Sequence, residues 1–332
     1  MLILGIESSC DETAAAVVED GCRVLSSVVA SQVDVHHRYG GVVPELASRK
    51  HIEAILPVVT DALDQAGFKK SDLGAVAVTQ GPGLVGSLLV GYSFAKALAY
   101  GLAIPWVGVN HLEGHILSVF LENDPPDFPF CALLASGGHT AIYYVTAFTE
   151  IERMGQTRDD AAGEAYDKVA KVLGLGYPGG KVIDDLAHQG DPTRIPFKRP
   201  FLDRNGFDFS FSGIKSAVHR LVQNDPDGMA GQVADVAAGF QEAVIDVLTH
   251  KLMQAAHSRN CGHVVVVGGV AANRRLRERV SQAGAEQGVA VHIPGMDLCG
   301  DNAAMIAAAG YHYLQKGRRG KLDDDVYSRV PL

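Results

Sequence analysis

The chain runs through one order of elements twice, and that repetition constrains its fold more than any single motif. "LILGIESS" and "TAAAVVED" are short strand-like runs joined by a polar turn at Cys10 to Glu12, the pattern of a β-hairpin. A helix-like stretch follows at 44–66, then a strand "AVAVT" at 75–79 and a helix at 85–101. The second half opens similarly. "FCALLAS" and "TAIYYVT" flank Gly137-Gly138-His139, followed later by a helix, the strand "HVVVVGG" at 263–269 and a helix at 271–286. Between them, 232–257 places Val233, Val236, Phe240, Val244, Val247 and Leu248 at helical spacing, a core-packing stripe. Strands alternating with helices predict an α/β chain with mostly parallel central sheets covered on both faces. The polar, proline-rich "ENDPPDFP" at 122–129 is the best linker. It places one lobe at 1–128 and a second at 129–301, with the segment 302–332 packing back on the first.

Composition narrows the class. The 332 residues suit two domains or one large α/β unit, and 47% hydrophobic with 20% charged residues is the balance of a folded soluble protein. No run approaches the roughly 20 apolar residues of a membrane span. The start "MLILGIESSCDE" lacks the basic opening of a signal peptide and reads as a first strand. The five cysteines (Cys10, Cys22, Cys131, Cys261 and Cys299) are scattered with no C-x-x-C, which predicts a reducing cytoplasm and excludes a cysteine zinc site. The net charge of -9 means that a nucleic-acid partner would need a local basic patch. "RRLRER" (274–279), "RRGK" (318–321), Lys198, Arg199 and Arg204 are the candidates, although stretches of each kind are more often solvated helix or loop faces.

"HLEGH" at 111–115 carries the sharpest chemical signal. His111 and His115 are four residues apart, so on a helix they share one face and can hold one metal ion. In the zinc-protease pattern H-E-x-x-H the glutamate follows the first histidine directly. Here Glu113 is third, roughly 200° from His111 and 160° from His115 around the helix. The ligand pair survives, while the protease's general base does not.

Three glycine-rich turns are candidate phosphate or nucleotide contacts, and each also reads as a plain tight turn. "TQGPGLVGSLLVG" (79–91) puts Gly81, Pro82 and Gly83 between a strand and a helix but lacks the phosphate-loop pattern G-x-x-x-x-G-K-[ST]. "LASGGHT" (134–140) can expose successive N–H groups to an anion. "VVVVGGVAANRRLRERV" (264–280) runs strand, Gly268-Gly269, helix, with Asn273 offering hydrogen bonds. Two hairpins in two lobes plus a strand–Gly-Gly–helix unit is the layout of the two-lobed actin-like ATPase fold, which includes sugar kinases and chaperone ATPases. Architecture of that kind does not establish function.

"GIESSCDET" (5–13), "YGGVVPELASRKH" (39–51), "GPGLVGSLLVG" (81–91), "HLEGH", "SGGHT" (136–140), "DDAAGEAYDKVAKVLGLGYPGG" (159–180), "DFSFSGIK" (208–215), "GGVAANRRLR" (268–277) and "DNAAMIAAAG" (301–310) appear in this order. Together they resemble the bacterial tRNA N6-adenosine threonylcarbamoyltransferase family, TsaD, once labelled a sialoglycoprotein endopeptidase, over nearly the whole chain. The resemblance implies transfer of a threonylcarbamoyl group from threonylcarbamoyl adenylate to N6 of adenosine 37, beside the anticodon of tRNAs that read codons beginning with A. It implies two partners, a degenerate paralogue, TsaB, and a small ATPase, TsaE, and no membrane.

Carried over position by position, His111, His115 and Asp301 would hold one divalent ion, Fe(2+) ahead of Zn(2+). Leu134, Ala135, Ser136, Gly137, Gly138, Asp167, Gly180, Asp184 and Asn273 would bind the adenylate. Archaeal relatives place a tyrosine ligand where this chain has Leu134, which leaves three protein ligands and open positions on the ion, as suits catalysis. The reaction also asks for a group to take the proton of the amine, and Asp11 or Glu12 in the first turn could do so. A metalloprotease, a non-catalytic scaffold and a metal-dependent ATPase of the same architecture are the competing readings. The placement of Glu113 opposes the first and the complete ligand set the second. "HLEGH" has no role in the third.

Overall fold

The computed structural model describes residues 1–203, 205–224 and 231–329; Arg204, one of the basic candidates, lies outside them. Two compact units account for the chain. Met1–Pro125, Phe148–Glu150 and Pro294–Leu332 form one, and Pro126–Ala147 with Ile151–Ile293 form the other.

The first unit begins with β1 (Leu2–Glu7), β2 (Glu12–Glu19), β3 (Arg23–Ser31), a short α1 (Val33–His37) and α2 (Pro44–Ala66). It continues through β4 (Ala75–Gly81), α3 (Val85–Leu102), β5 (Trp106–Asn110) and α4 (His111–Leu117). The strands form one sheet in the order β3-β2-β1-β4-β5. β1 pairs antiparallel with β2 and parallel with β4. Alternate residues of each strand face opposite layers. Leu4, Ile6, Ala15, Val17, Val76 and Val78 pack with α2 and α3, while Ile3, Ala14, Ala16, Val18, Ala75 and Ala77 face the other side. Both faces are therefore buried, which is why β1, β2 and β4 read as continuous apolar runs rather than alternating ones. Among the described residues α3 is the one helix long and apolar enough to cross a membrane. Here Tyr92, Ala95 and Ala99 on it pack into the sheet's core.

The second unit holds β6 (Phe130–Ala135), β7 (Thr140–Ala147), β8 (Glu150–Gln156), α5 (Ala162–Val172), α6 (Gly179–Ala187) and α7 (Ser212–Asn224). It ends with α8 (Val233–Ser258), β9 (His263–Val267), α9 (Arg274–Gln287) and β10 (Ala290–His292). Its sheet order is β10-β9-β6-β7-β8, with β6 antiparallel to β7 and parallel to β9. On α8 the expected stripe is buried at Val236, Phe240, Val244, Val247 and Leu248, with Val233 at its half-buried start. Lys251 is a buried exception, its Nζ donating to the backbone oxygens of Asp203 (2.6 Å) and Gly206 (2.5 Å).

The chain returns to the first unit with α10 (Met296–Cys299) and α11 (Ala303–Gln315). α11 covers the second face of the first sheet, and Ala303 through Gly310 are all buried. Small side chains make the fit. A Cβ on Gly310 would lie 2.4 Å from the Cβ of Ala77, and one on Gly5 would lie 2.1 Å from the carbonyl oxygen of Ala303.

The expectation of mostly parallel sheets is corrected. Both sheets are mixed, because β1–β2 and β6–β7 are joined by short turns, and a short connection closes only an antiparallel pair. The helix expected from 271 begins at Arg274, after a 3-10 turn at Gly269–Ala272.

Candidate functional site

β5 ends where α4 begins, and Asn110 makes the junction. Its Oδ1 accepts from the N–H groups of Leu112 (2.9 Å) and Glu113 (3.3 Å), capping the helix so that His111 is its first residue. His115 follows one turn later on the same face, and the two rings meet edge to face with centroids 4.7 Å apart. Asp301 arrives from far along the chain. It precedes Asn302, whose Oδ1 caps α11 by accepting from the N–H of Met305 (2.9 Å). Gly114 allows α4 and α11 to approach, since a Cβ there would sit 2.9 Å from Cδ1 of Ile306.

The outcome is convergence on one carboxylate oxygen. Asp301 Oδ1 lies 3.1 Å from Nε2 of His115 and 3.6 Å from Nε2 of His111. The three ligand atoms lie within 4.8 Å of one another, the one such His/Cys/Asp/Glu group found among the described residues. Two imidazole nitrogens and a carboxylate oxygen are a donor set that suits Zn(2+) or Fe(2+). Both histidines are buried, whereas the side chain of Asp301 is 22% exposed, so the group opens on the aspartate side. Glu113 points elsewhere: it accepts from the hydroxyl of Tyr313 on α11, and burial pushes its carboxyl upward in pKa. Glu113 therefore does not stand beside the two rings, where a zinc protease would need it as general base.

Behind His111 stands a carboxylate that the motif reading missed. Glu7, the last residue of β1, is fully buried with Oε2 2.9 Å from Nδ1 of His111. Burial alone would pull the imidazole down, but the charges of Glu7 and Asp301 outweigh it and push His111 up to about 9. Burial opposes the charge on Glu7 as well, yet His111 holds its carboxyl below the ordinary value.

The β1–β2 turn is fastened by His51 of α2, also unforeseen. Its Nε2 lies 3.0 Å from the carbonyl oxygen of Cys10 and its Nδ1 2.8 Å from Oγ1 of Thr13, so Nε2 donates and Nδ1 accepts. Burial lowers its pKa, in keeping with a neutral ring. The turn carries Asp11 and Glu12. Burial first, then the negative charge of Asp11, push Glu12 up to about 8, even though the hydroxyl of Ser31 donates to it at 2.8 Å. Gly83 of the "GPGL" turn packs on the same loop: Leu84 donates its N–H to the carbonyl of Ser9 (2.7 Å), and a Cβ on Gly83 would lie 2.6 Å from that oxygen. Packing accounts for this glycine, and no anion need be invoked.

In the second unit the expected adenylate residues are less uniform. Leu134 and Ala135 end β6 and are wholly buried. Ser136 departs from the expectation that its amide faces an anion. That N–H donates to the carbonyl of His139 (2.8 Å), closing the β6–β7 turn, whose tip leaves Gly137 and Gly138 exposed. Asp167 accepts from the N–H of Gly179 (2.7 Å) at the start of α6, where Gly180 faces open space. Asp184 accepts from Nε of Arg274 (2.8 Å). Asn273 caps α9 through Oδ1, accepting from Leu276 (2.9 Å), and donates to Gln241 through Nδ2 (2.7 Å). Gly268 has φ +90 and would place a Cβ 2.5 Å from the oxygen of Ala135, so only glycine fits there.

The arginines of "RRLRER" are largely committed. Arg274 pairs with Asp184 and Asp185, Arg275 with Glu242 and Glu278, and Arg279 with Asp246, while Arg277 donates to the carbonyl of Ala271. Arg199 also pairs with Asp246, Arg318 lies over the ring of Tyr313, and Arg319 donates to the carbonyl of Leu314. Lys198 is exposed.

A family model described as "TsaD: tRNA N6-adenosine threonylcarbamoyltransferase" matches residues 23–308. The chain belongs to this family. It is accordingly a tRNA-modifying transferase, with tRNA as its substrate. The tRNA N6-adenosine threonylcarbamoyltransferase of Desulforapulum autotrophicum is 61% identical over 330 residues, covering 99% of each chain. That of Syntrophus aciditrophicus is 53% identical, covering 100% of this chain and 98% of its own. Among solved structures, T. kodakarensis HypF superposes with a TM-score of 0.63 at 14% identity, covering 95% of this chain and 48% of its own. Component A of the Acidaminococcus fermentans (R)-2-hydroxyglutaryl-CoA dehydratase has a TM-score of 0.55 at 17% identity, covering 95% and 99%. These two bear on the fold alone, and it is the actin-like ATPase architecture expected above.

Proposed function

We propose that the transferase moves the threonylcarbamoyl group of threonylcarbamoyl adenylate to N6 of adenosine 37 in tRNAs that read codons beginning with A, using one metal ion. The observation that carries this reading is the convergence of His111, His115 and Asp301 in a chain of this family. In the reaction the bond between the carbamoyl carbon and the phosphate oxygen breaks, AMP leaves, a carbon–N6 bond forms, and N6 loses a proton.

Each demand has residues to meet it. The donor would be held by the backbone of Leu134 to Gly138, with the exposed amides of Gly137 and Gly138 rather than that of Ser136 turned to its negative charge. Asp167 and Asp184 would accept from hydroxyls, and Gly180 and Asn273 would flank the nucleoside. His111, His115 and Asp301 would hold the ion, Fe(2+) ahead of Zn(2+). When bound, it would supply Lewis-acid stabilisation of charge on substrate oxygens. The proton of the amine would pass to the Asp11–Glu12 pair. The protein would work in the cytoplasm.

The test is reconstitution. Purified chain, a paralogue partner, a small ATPase, threonylcarbamoyl adenylate and unmodified tRNA are combined, and nucleosides are read by mass spectrometry. Modified adenosine 37 is the expected product; unmodified tRNA in the presence of active partners would refute the assignment. The same assay reads the acidic pair. With Glu12 at about 8, its carboxylate forms as pH rises through that value, so kcat/KM rises toward pH 8 and above, and the rise disappears in Glu12→Gln. The linked stability effect runs the other way. Between the ordinary value of 4.5 and about 8 the folded state holds a proton that the unfolded chain releases, so this group's contribution falls as pH rises.

The paralogue TsaB would dock on helices α2 and α3, and TsaE would join the same assembly. α2 and α3 pack side by side, and each leaves an apolar i,i+4 pair exposed: Ile52 (65%) and Leu56 (53%), Val85 (46%) and Leu89 (42%). Ile52→Asp combined with Leu89→Asp is expected to weaken pairing at least 100-fold in sedimentation or titration calorimetry, at roughly 2 kcal/mol or more per central apolar contact. Unchanged affinity would move the interface elsewhere.

A further inference from the structure

We propose that Glu7 is a positioning residue of the metal centre, a buried carboxylate that fixes the ring and tautomer of His111 so that Nε2 presents its lone pair to the ion. The proposal rests on the metal reading above and adds to it a residue outside the ligand set.

Glu7 is fixed on every side before it meets the histidine. It ends the central strand β1 and is 0% exposed. Oε2 accepts from Oγ1 of Thr79 on β4 at 2.7 Å, and Oε1 accepts from the backbone N–H of Ser9 at 2.5 Å. Oε2 then takes Nδ1 of His111 at 2.9 Å, and Oγ of Ser9 lies 3.3 Å from the same nitrogen. A hydrogen bond from Nδ1–H to a carboxylate keeps the proton on Nδ1, so that Nε2 is the nitrogen that gives up its proton to an ion; it also sets the ring plane and makes Nε2 a better donor to metal.

The neighbouring ligand supplies an internal contrast. Nδ1 of His115 is buried with no hydrogen-bond partner, so packing and Asp301 alone orient that ring. His111 is thus the histidine held in advance, and Glu7 is what holds it. Burying a carboxylate in the centre of a sheet is costly unless it is fully hydrogen-bonded, and Glu7 meets that cost with Thr79 on β4, the amide of Ser9 in the β1–β2 turn and His111.

The variant Glu7→Gln keeps size and an acceptor for Nδ1–H while removing the charge. The probe is Zn(2+) titrated into the full-length, metal-stripped chain against a chromophoric chelator, with thermal unfolding followed with and without the ion. The expected result is about 10- to 100-fold weaker binding and a smaller metal-induced rise in Tm. Parent-like affinity, or a variant that loses stability without metal yet keeps the full metal-induced rise, would assign Glu7 a structural role and overturn the proposal. Should Glu7→Gln not fold, Thr79→Val removes one anchor of the carboxylate and leaves its charge; a several-fold loss of affinity supports the inference and parent-like affinity ends it. If the parent takes up no ion, or His115→Ala binds it as tightly, the metal reading itself has failed. A parent that binds through its histidines beside an unaffected Glu7→Gln sinks the role of Glu7 alone.

Discussion

Replacing His115 with alanine is expected to abolish stoichiometric metal binding and to lower the rate of tRNA modification by about 10³-fold or more. The ring is fully buried and supplies Nε2 to the group that includes Asp301 at 3.1 Å. With it gone, His111 and Asp301 remain as two ligands, below the three that an open catalytic ion needs. An ion that stabilises transition-state charge is worth several kcal/mol, and about 4 kcal/mol corresponds to a factor of roughly 10³ in rate. Removing a buried ring also leaves a cavity, so Asp301→Asn is the companion variant. Asp301 is 22% exposed, and its amide analogue changes charge with little loss of packing. Elemental analysis and single-turnover kinetics at saturating tRNA read both variants. Full metal content in either, or a rate within tenfold of the parent, would contradict the ligand assignment.

The second large effect lies in the fold beneath the site. Gly5→Val is expected to lower stability by about 3 kcal/mol or more and to weaken metal uptake at the proposed site with it. Gly5 sits mid-strand in β1, paired with Ala16 on one side and Ala77 on the other. A Cβ there would lie 2.1 Å from the carbonyl oxygen of Ala303 and 2.9 Å from the Cβ of Ala307, so the obstacle is largely the backbone of α11. A backbone cannot change rotamer, and α11 must move off the sheet. Asp301 stands immediately before the cap of that helix, so displacement of α11 pulls the proposed ligand Asp301 away from the two histidines. Urea unfolding followed by the fluorescence of Trp106, the single tryptophan, measures the loss. A change within about 0.5 kcal/mol would show that the strand and helix are less tightly joined than their geometry indicates.

Much of this site is legible in local spacing. The four-residue interval of His111 and His115 is a statement about one helix turn, and in the structure the two rings meet edge to face on one side of α4. The misplacement of Glu113 is legible for the same reason, and it faces Tyr313 instead. Ser136, Arg274 and Arg275 show the limit. Their residue types are right for an anion-binding turn and a basic patch. Yet the Ser136 amide closes its own hairpin, and the two arginines are bound to carboxylates on α6, α8 and α9. Side-chain chemistry is local, but its partners are chosen by packing.

The contrast extends to whole elements. The strand runs, the hairpins, α2, α3 and α8 follow from apolar periodicity and turn residues, which act over a few positions. The helix α11 left only a run of small residues as its signal, because it lies flush on one face of the first sheet, where close approach to the strands needs small side chains. What the amino-acid order determined by itself was the α/β class, the family and the pair of imidazoles one turn apart. That one carboxylate faces them and another braces His111 from behind was decided only when β1, β4, α4 and α11 packed, and the pairing of the arginines only when α6, α8 and α9 did, since these partners lie far apart in the chain and depend on van der Waals fit that no local pattern encodes.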